Sequence, residues 1–272
     1  MIPISVIIMT KNDAINLPHC LPPLIQNFSD IHVVDSDSTD DTISIARDHG
    51  ATVTNFKWNG QYPKKKQWCL DNIQTKHDWV LMIDADEIIT DDFIAELQNF
   101  DLSSDGYFIR SDMVWKDKHL KYGQKNNKLC LFKKSSFTYP VIDDLDIIGG
   151  WEVEGHYQPI ATTSHTPNIG QIKSPIIHHD RKQQWHDRHN NYVTWEVEMT
   201  KRDAWPRDPV FIREFIKDIL RTSRLRPFIY FAYSYILKCG FMDGKMGADY
   251  AINRYRYNAH IARAIRRTNV SH

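Results

Sequence analysis

The sequence has little that would tie it to a disulfide scaffold, a membrane span or a nucleic-acid backbone. Its four cysteines, Cys20, Cys69, Cys130 and Cys239, are far apart and form no CxxC pair. Neither a zinc site nor a disulfide framework is expected, and a reducing cytoplasm fits. The longest apolar run, Phe228 to Leu237, is ten residues with Ser234 inside, about half the ~20 residues of a spanning helix. Met1-Ile2-Pro3 runs straight into a strand-like segment without a basic region or cleavage site, so no signal peptide is expected. Net charge is absent, with 34 Lys+Arg against 34 Asp+Glu. No nucleic acid is therefore expected as a partner. No GxGxxG follows the first strand, which argues against a dinucleotide dehydrogenase. Internal repeats and low-complexity tracts are lacking too.

What is present is ordinary globular composition, 42% hydrophobic and 25% charged over 272 residues, enough for one large domain or two small ones. The charge is segregated. Residues 201–272 carry 15 Lys/Arg and 6 Asp/Glu, a balance of +9, and residues 1–200 carry 19 and 28, a balance of −9. The acidic part suits a cation or a cation-bridged anion. The basic tail suits an anionic partner, peripheral contact with an anionic membrane among the choices.

The first hundred residues alternate strand and helix signals. Apolar runs at 3–9, 31–35, 51–56 and 79–83 read as strands. Helices are expected at 16–26, where Pro22 and Pro23 should limit or distort the helix, and at 41–49, 64–74 and 91–100. Ser38 followed by Asp41 resembles a capping box, and Gly50 suits the C′ position of the second helix. This alternation implies a parallel sheet with right-handed crossovers, whose ligands bind beyond the carboxyl ends of the strands. Those ends carry Thr10 to Asp13, Asp35 to Asp37 and Asp84 to Glu87, so three polar, mostly acidic clusters should converge on one edge. Beyond residue 105, segments 106–113 and 129–133 look like strands and 140–180 like loops with short strands. Helical periodicity returns from residue 190.

Asp84-Ala85-Asp86 at the end of an apolar strand can hold a hard divalent cation such as Mn²⁺ or Mg²⁺, against the plainer roles of strand end and helix cap. Asp35 sits too early to cap the following helix and is the better ligand candidate for a base or ribose. Lys64-Lys65-Lys66 opens a helix, where positive charge opposes the dipole. An anionic phosphate would explain it, with a solvated charge run as the alternative for Lys64.

The series SVIIMTKND, VVDSDSTDDTISIARDHGA, the Lys65-Lys66-Gln67 helix start and WVLMIDADE resembles a family 2 glycosyltransferase, densely over residues 3–100. It is most similar to the branch that includes lipopolysaccharide core glucosyltransferases. CLFKK, WEVEGHYQP, IIHHD and GFMDG continue the likeness more loosely. The resemblance implies an α/β GT-A-type fold: a mostly parallel central sheet flanked by helices, with a helical C-terminal extension. Residues 1–190 would be the catalytic domain, 1–105 its nucleotide-binding half and 106–190 its acceptor-side half, with 191–272 the basic extension. It implies an inverting enzyme using a nucleotide-diphospho-sugar donor, Mn²⁺ or Mg²⁺, and a glycan or lipid-linked acceptor, in the cytoplasm or on the inner face of the plasma membrane. By position, Thr10 and Asn12 would line the nucleotide pocket, Asp35 would meet the base and Lys66 the base or phosphate. Asp84 would lie near ribose and metal, and Asp86 would be the principal metal ligand.

An inverting transferase needs a base for the acceptor hydroxyl. Relatives often carry Val-His-Glu here; this sequence has Trp151-Glu152-Val153-Glu154-Gly155-His156 instead. Glu154 is the first choice, Glu152 the second and Asp144 a distant third, and His156 is a further site residue. His178-His179-Asp180 follows two isoleucines. Strand alternation lets at most one ring reach the metal, and His179 is the one taken. Phe228–Leu237 is expected to be a buried helix, with the basic helix beyond it as the membrane-facing element. The rival readings are a phosphohydrolase of the haloacid dehalogenase type, with Asp143-Asp144 as its later acidic pair, and a sugar-nucleotide-binding protein without turnover.

Overall fold

The computed structural model describes residues 1–147, 158–162, 167–179, 185–205 and 211–269. In chain order the elements are β1 (Ser5–Thr10), α1 (Leu17–Asn27), β2 (Ile31–Asp35), α2 (Thr42–Asp48), β3 (Thr52–Asn55), α3 (Lys65–Asn72), β4 (Trp79–Asp84), β5 (Glu87–Ile88), α4 (Asp91–Gln98), β6 (Gly106–Trp115), β7 (Lys118–His119), β8 (Asn126–Lys133), β9 (Phe137–Thr138), β10 (Ile160–Ala161), β11 (Ile169–Gln171) and β12 (Ile176–His178). The helices α5 (Trp185–Lys201), α6 (Phe211–Thr222), α7 (Arg226–Ala232) and α8 (Gly244–Asn269) follow. The chain divides into two compact units: residues 1–114, 125–140 and 154–182, and residues 115–124, 141–153 and 183–272.

The first unit is built on one sheet. Its order is β3-β2-β1-β4-β8-β6-β12-β5. The first four strands are mutually parallel, as the strand–helix alternation requires. β8 then runs antiparallel to both β4 and β6. Strand alternation explains why these strands are apolar throughout: Val6, Ile8, Val33, Leu81 and Ile83 enter one core with Leu17, Leu21, Leu24 and Phe93. Ile7, Val34, Val80 and Met82 enter a second core with Phe56, Cys69 and Leu70. A parallel sheet covered on both faces reads in this way.

Two local expectations are revised. α1 runs through Pro22 and Pro23 without ending, because Leu17, Cys20, Leu21 and Leu24 are all buried against the sheet and that packing outweighs the lost backbone bond. Ser38 does not cap α2. Its amide and hydroxyl both go to Asp35, and Asp40 receives the Thr42 amide and hydroxyl in its place. Gly50 does stop the helix at a φ of 81°, with its amide donating to the Arg47 carbonyl at 2.8 Å. The three cysteines Cys20, Cys69 and Cys130 are buried and Cys239 is partly exposed. Burial, then nearby carboxylates, pushes the Cys20 thiol far above its usual pKa.

In the second unit Val193 and Val197 of α5 pack on Ile261 and Ile265 of α8. Arg226 is buried there. Its Nε donates to Asn258 Oδ1 at 2.8 Å and an Nη to Glu196 Oε2 at 2.6 Å, and the Tyr257 hydroxyl donates to Glu196 Oε1 at 3.0 Å. The expected burial of Phe228–Leu237 is not found: Phe228, Ile229, Tyr233, Ile236 and Leu237 are all exposed. The segment is α7 followed by a π-helical turn, and only one side of so short a rod can pack.

At the amino ends of the strands, buried Asp30 is held by the Ser5 hydroxyl (2.5 Å), the Lys76 amide (2.8 Å) and His32 (3.0 Å). Burial alone would raise its pKa; the Ser5 bond, then the Lys76 amide and His32, outweigh burial and hold the carboxyl below the usual carboxylate range. A depressed carboxyl contributes stability that is present above its unfolded pKa of ~3.9 and is lost as pH falls through the folded value. Asp30→Asn should therefore cost about 1.5–3 kcal/mol at pH 7. In urea titrations the gap from wild type should shrink as the pH is lowered below about 3.9; a gap independent of pH would contradict this account.

Candidate functional site

The carboxyl ends of β1, β2 and β4 meet as the sequence implies. Thr10 and Asp35 are register partners, and the Thr10 hydroxyl donates to Asp35 Oδ1 at 2.9 Å. Asp35 is fully buried. With the Ser38 amide at 2.8 Å on its other oxygen, it braces the two loops from inside. Asn12 adopts a φ of 52°, so its amide reaches Ser38 Oγ at 2.7 Å while its side-chain carbonyl accepts from the Thr39 amide at 2.8 Å. Lys11 donates to the carbonyls of Ser36 and Asp37. Thr10, Asn12 and Asp35 therefore lie together, and their polar atoms hold the loops to each other.

Of the lysine triplet, Lys64 and Lys65 are buried, so the solvated-run alternative for Lys64 does not hold. Lys65 Nζ donates to the Thr10 carbonyl at 3.1 Å, which ties α3 to the end of β1. Lys66 Nζ stands 5.9 Å from the centre of the Tyr139 ring.

Asp84 ends β4 opposite Met9 of β1. The turn from Asp84 to Glu87 is closed by Glu87, whose Oε2 accepts the Asp84 amide at 3.1 Å. Lys128 of β8 lies 2.7 Å from Asp84 Oδ2 and 2.7 Å from Glu87 Oε1, and the Ser111 hydroxyl of β6 donates to Glu87 Oε1 at 3.1 Å. Asp84 keeps 42% of its side chain exposed, yet its carboxylate sits in a crowded polar cluster. Desolvation there would raise its pKa; Lys128, then Lys66, outweigh it and hold the carboxyl well below the usual range. Lys128 responds in kind: burial would lower its pKa, but Asp84 and Glu87 raise it well above the usual value.

Asp86 follows on the same turn. His178 of β12 pairs in register with Glu87 of β5, which carries the His178 ring to Asp86: Nδ1 is 3.5 Å from Asp86 Oδ1. That nitrogen is buried and makes no hydrogen bond among the described residues. His179 meets Asp86 through the main chain, its amide donating to the Asp86 carbonyl at 2.8 Å. Two ligand atoms ~2.1 Å from one divalent ion and at right angles lie about 3 Å apart, so the Asp86–His178 pair fits one edge of a coordination shell. Among the described residues no group of three or more His, Cys, Asp or Glu could hold a metal. Donor phosphates and water would have to supply the remaining ligands, as is usual for Mg²⁺-like ions.

Glu152, Glu154 and His156 lie outside the described residues. Asp144 is spent elsewhere, accepting the Trp195 indole N–H at 3.0 Å within the helical unit. Glu87 and Lys128 are given no role by the sequence alone. Glu87 adjoins the Asp-x-Asp pair, but nothing near Lys128 in the chain marks it, because its partners arrive through sheet pairing.

Residues 5–137 match glycosyl transferase family 2. The family 2 segment contains Thr10, Asn12, Asp35, Lys66, Asp84, Asp86 and Lys128, and ends before the histidine pair. Its sheet is the GT-A type expected from the resemblance, mixed but mostly parallel with flanking helices. A Rickettsia felis protein named as an uncharacterized glycosyltransferase is 35% identical over 98 residues, 35% of this chain and 32% of the relative. A Rickettsia prowazekii protein of the same description is 34% identical over 98 residues, 35% and 32% of the two chains. The match thus spans about a third of the length of these curated relatives. Among solved structures, S. aureus TarS (residues 1–349) is 15% identical and covers 97% of this chain and 91% of its own, with a TM-score of 0.43. Glucosyl-3-phosphoglycerate synthase from Mycobacterium tuberculosis, solved with Mn²⁺, UDP-glucose and phosphoglyceric acid, is 27% identical over 31% of this chain and 34% of its own, with a TM-score of 0.25.

Removing the shared cation leaves two carboxylates facing each other around a buried gap. Lys128→Met should destabilise the protein by about 3–5 kcal/mol. The double variant Lys128→Met/Glu87→Gln should recover part of that loss in denaturant unfolding. Additive losses would show that the two groups do not act as a pair.

Proposed function

We propose that the protein is an inverting glycosyltransferase that moves a sugar from a nucleotide-diphospho-sugar to a glycan or lipid-linked acceptor. The single observation that carries this reading is the approach of His178 Nδ1 to Asp86 Oδ1 at the carboxyl edge of a sheet whose sequence matches family 2. Asp86 and one ring of the histidine pair hold Mn²⁺ or Mg²⁺, and the geometry favours His178 over the His179 taken from the sequence. The bound ion supplies Lewis-acid neutralisation of the leaving diphosphate. Asp84, kept ionised by Lys128, stands beside it toward the ribose, and Lys66 faces the phosphates. Thr10, Asn12 and Asp35 shape the nucleotide pocket, Asp35 by bracing its walls. Glu154, or Glu152 in its place, takes the acceptor hydroxyl proton as that oxygen attacks the anomeric carbon.

Further parts of the proposal rest on resemblance alone: the lipopolysaccharide-core branch, a place in bacterial cell-surface polysaccharide assembly, a cytoplasmic site of action, and a catalytic domain over residues 1–190. The hydrolase reading loses ground because the acid intended for its later pair, Asp144, is held by Trp195.

Thermal-shift measurements with UDP, GDP and dTDP, each with and without Mn²⁺, should show stabilisation by at least one nucleotide that needs the metal. At [L] near 100 Kd the linkage amounts to about 2.7 kcal/mol. Asp86→Ala should abolish the metal-dependent part and leave the nucleotide-free melting temperature within a few degrees. No response to any nucleotide diphosphate, together with release of phosphate from simple esters, would refute a sugar-nucleotide transferase.

A further inference from the structure

α6 is folded inside out. Two of its charged residues lie inward: Glu214 is buried and receives Arg221 at 2.9 Å, and the Arg221 guanidinium stacks 4.9 Å from the Trp205 ring while also pairing with the half-exposed Asp218. Its apolar residues Ile212, Phe215, Ile216 and Ile219 recur at i, i+3, i+4 and i+7 and are 69%, 59%, 50% and 52% exposed. One amphipathic face is therefore turned to the outside, in a helix packed on α7 and α8 by its other side. α7 and the turn after it add Phe228 and Leu237, 59% and 72% exposed. Leaving this much apolar surface in water is costly, and a patch of this kind marks an interaction surface.

The charge around the patch selects the occupant. Lys217 lies on α6 itself, Arg224 between α6 and α7, Lys238 on the turn beyond α7 and Lys245 in the first turn of α8, all exposed. The acids of the same stretch are committed, Glu214 and Asp218 to Arg221 and Asp243 to the amides of Lys121 and Tyr122. The rim is therefore cationic, in keeping with the +9 balance of residues 201–272. Two copies joined through this face would oppose like charges. An anionic bilayer instead offers an apolar phase for the isoleucines and phenylalanines and phosphates for the rim, the combination that seats an interfacial helix. No described helix is long and apolar enough to cross a membrane, so the contact is with one leaflet.

We propose that α6, with the exposed side of α7, docks the protein on an anionic phospholipid surface by inserting Ile212, Phe215, Ile216 and Ile219 to the level of the headgroups. The glycosyltransferase reading is not needed for this and does not follow from it.

The test is flotation of the full chain with vesicles of phosphatidylcholine alone and with about a third phosphatidylglycerol. Binding should be at least about tenfold tighter to the anionic vesicles and should weaken as salt rises toward 1 M. The triple variant Ile212→Ser/Phe215→Ser/Ile216→Ser should lose at least about tenfold in vesicle affinity while keeping its circular dichroism and any metal-dependent nucleotide response. Lys217→Glu/Arg224→Glu should abolish the preference for the anionic lipid. Failure of the wild type to bind anionic vesicles at low salt would overturn the proposal. So would undiminished binding by the triple variant, or a dimer in sedimentation that the triple variant dissolves.

Discussion

Lys128 Nζ stands 2.7 Å from each of two carboxylates that belong to one four-residue turn. Glu87 is almost wholly buried, and an ionised carboxylate there is tolerable only with a cation and further donors around it. Lys128 supplies the cation, and Ser111 and the Asp84 amide supply the donors. The turn is thereby fixed at both ends, and Asp86, which lies between Asp84 and Glu87 in the chain, is presented toward β12 without needing a ligand to position it. The other loops obey the same logic with neutral partners. Asp35 gathers Thr10 and Ser38, and Lys65 reaches the Thr10 carbonyl, so the ends of β1, β2 and the start of α3 form one braced rim.

Much of this was legible in the chain. Parallel strands buried on both faces announce themselves as apolar runs, and their carboxyl ends must share an edge, which is why Thr10, Asp35 and Asp84 could be grouped without coordinates. What could not be read were contacts made by sheet order. β8 enters between β4 and β6 from much further along the chain, and no local pattern says that Lys128 will meet Asp84, 44 residues before it. The approach of His178 to Asp86 likewise depends on how β12 registers with β5. Ser38 misled for a different reason: its spacing suits a cap, but the buried carboxylate of Asp35 competes for the same hydroxyl and amide and wins.

The helical unit shows where periodicity is silent. An amphipathic stripe tells which residues share a face, not which face turns inward. In α6 the ion pair of Arg221 with Glu214 is enclosed while Ile212, Phe215, Ile216 and Ile219 are exposed, and the usual assignment of apolar to inside is reversed. Phe228–Leu237 was expected to be buried because all its sides are apolar, yet Arg226 and Ser234 occupy the interior positions around it. Polar groups with satisfied partners can hold such ground, as the Arg226–Glu196–Asn258 bonds do.

The cysteines have a chemical consequence. Cys20, Cys69 and Cys130 are sealed in the cores of the sheet unit. Burial, the largest effect on both, keeps the thiols of Cys20 and Cys130 protonated far into alkali, so they resist alkylation and peroxide while the fold persists. Cys239, in a left-handed turn directly after exposed Leu237 and Lys238, is the thiol a water-borne maleimide would meet first. A single dye attached there would report on the polarity beside the outward-turned helices without any engineered substitution.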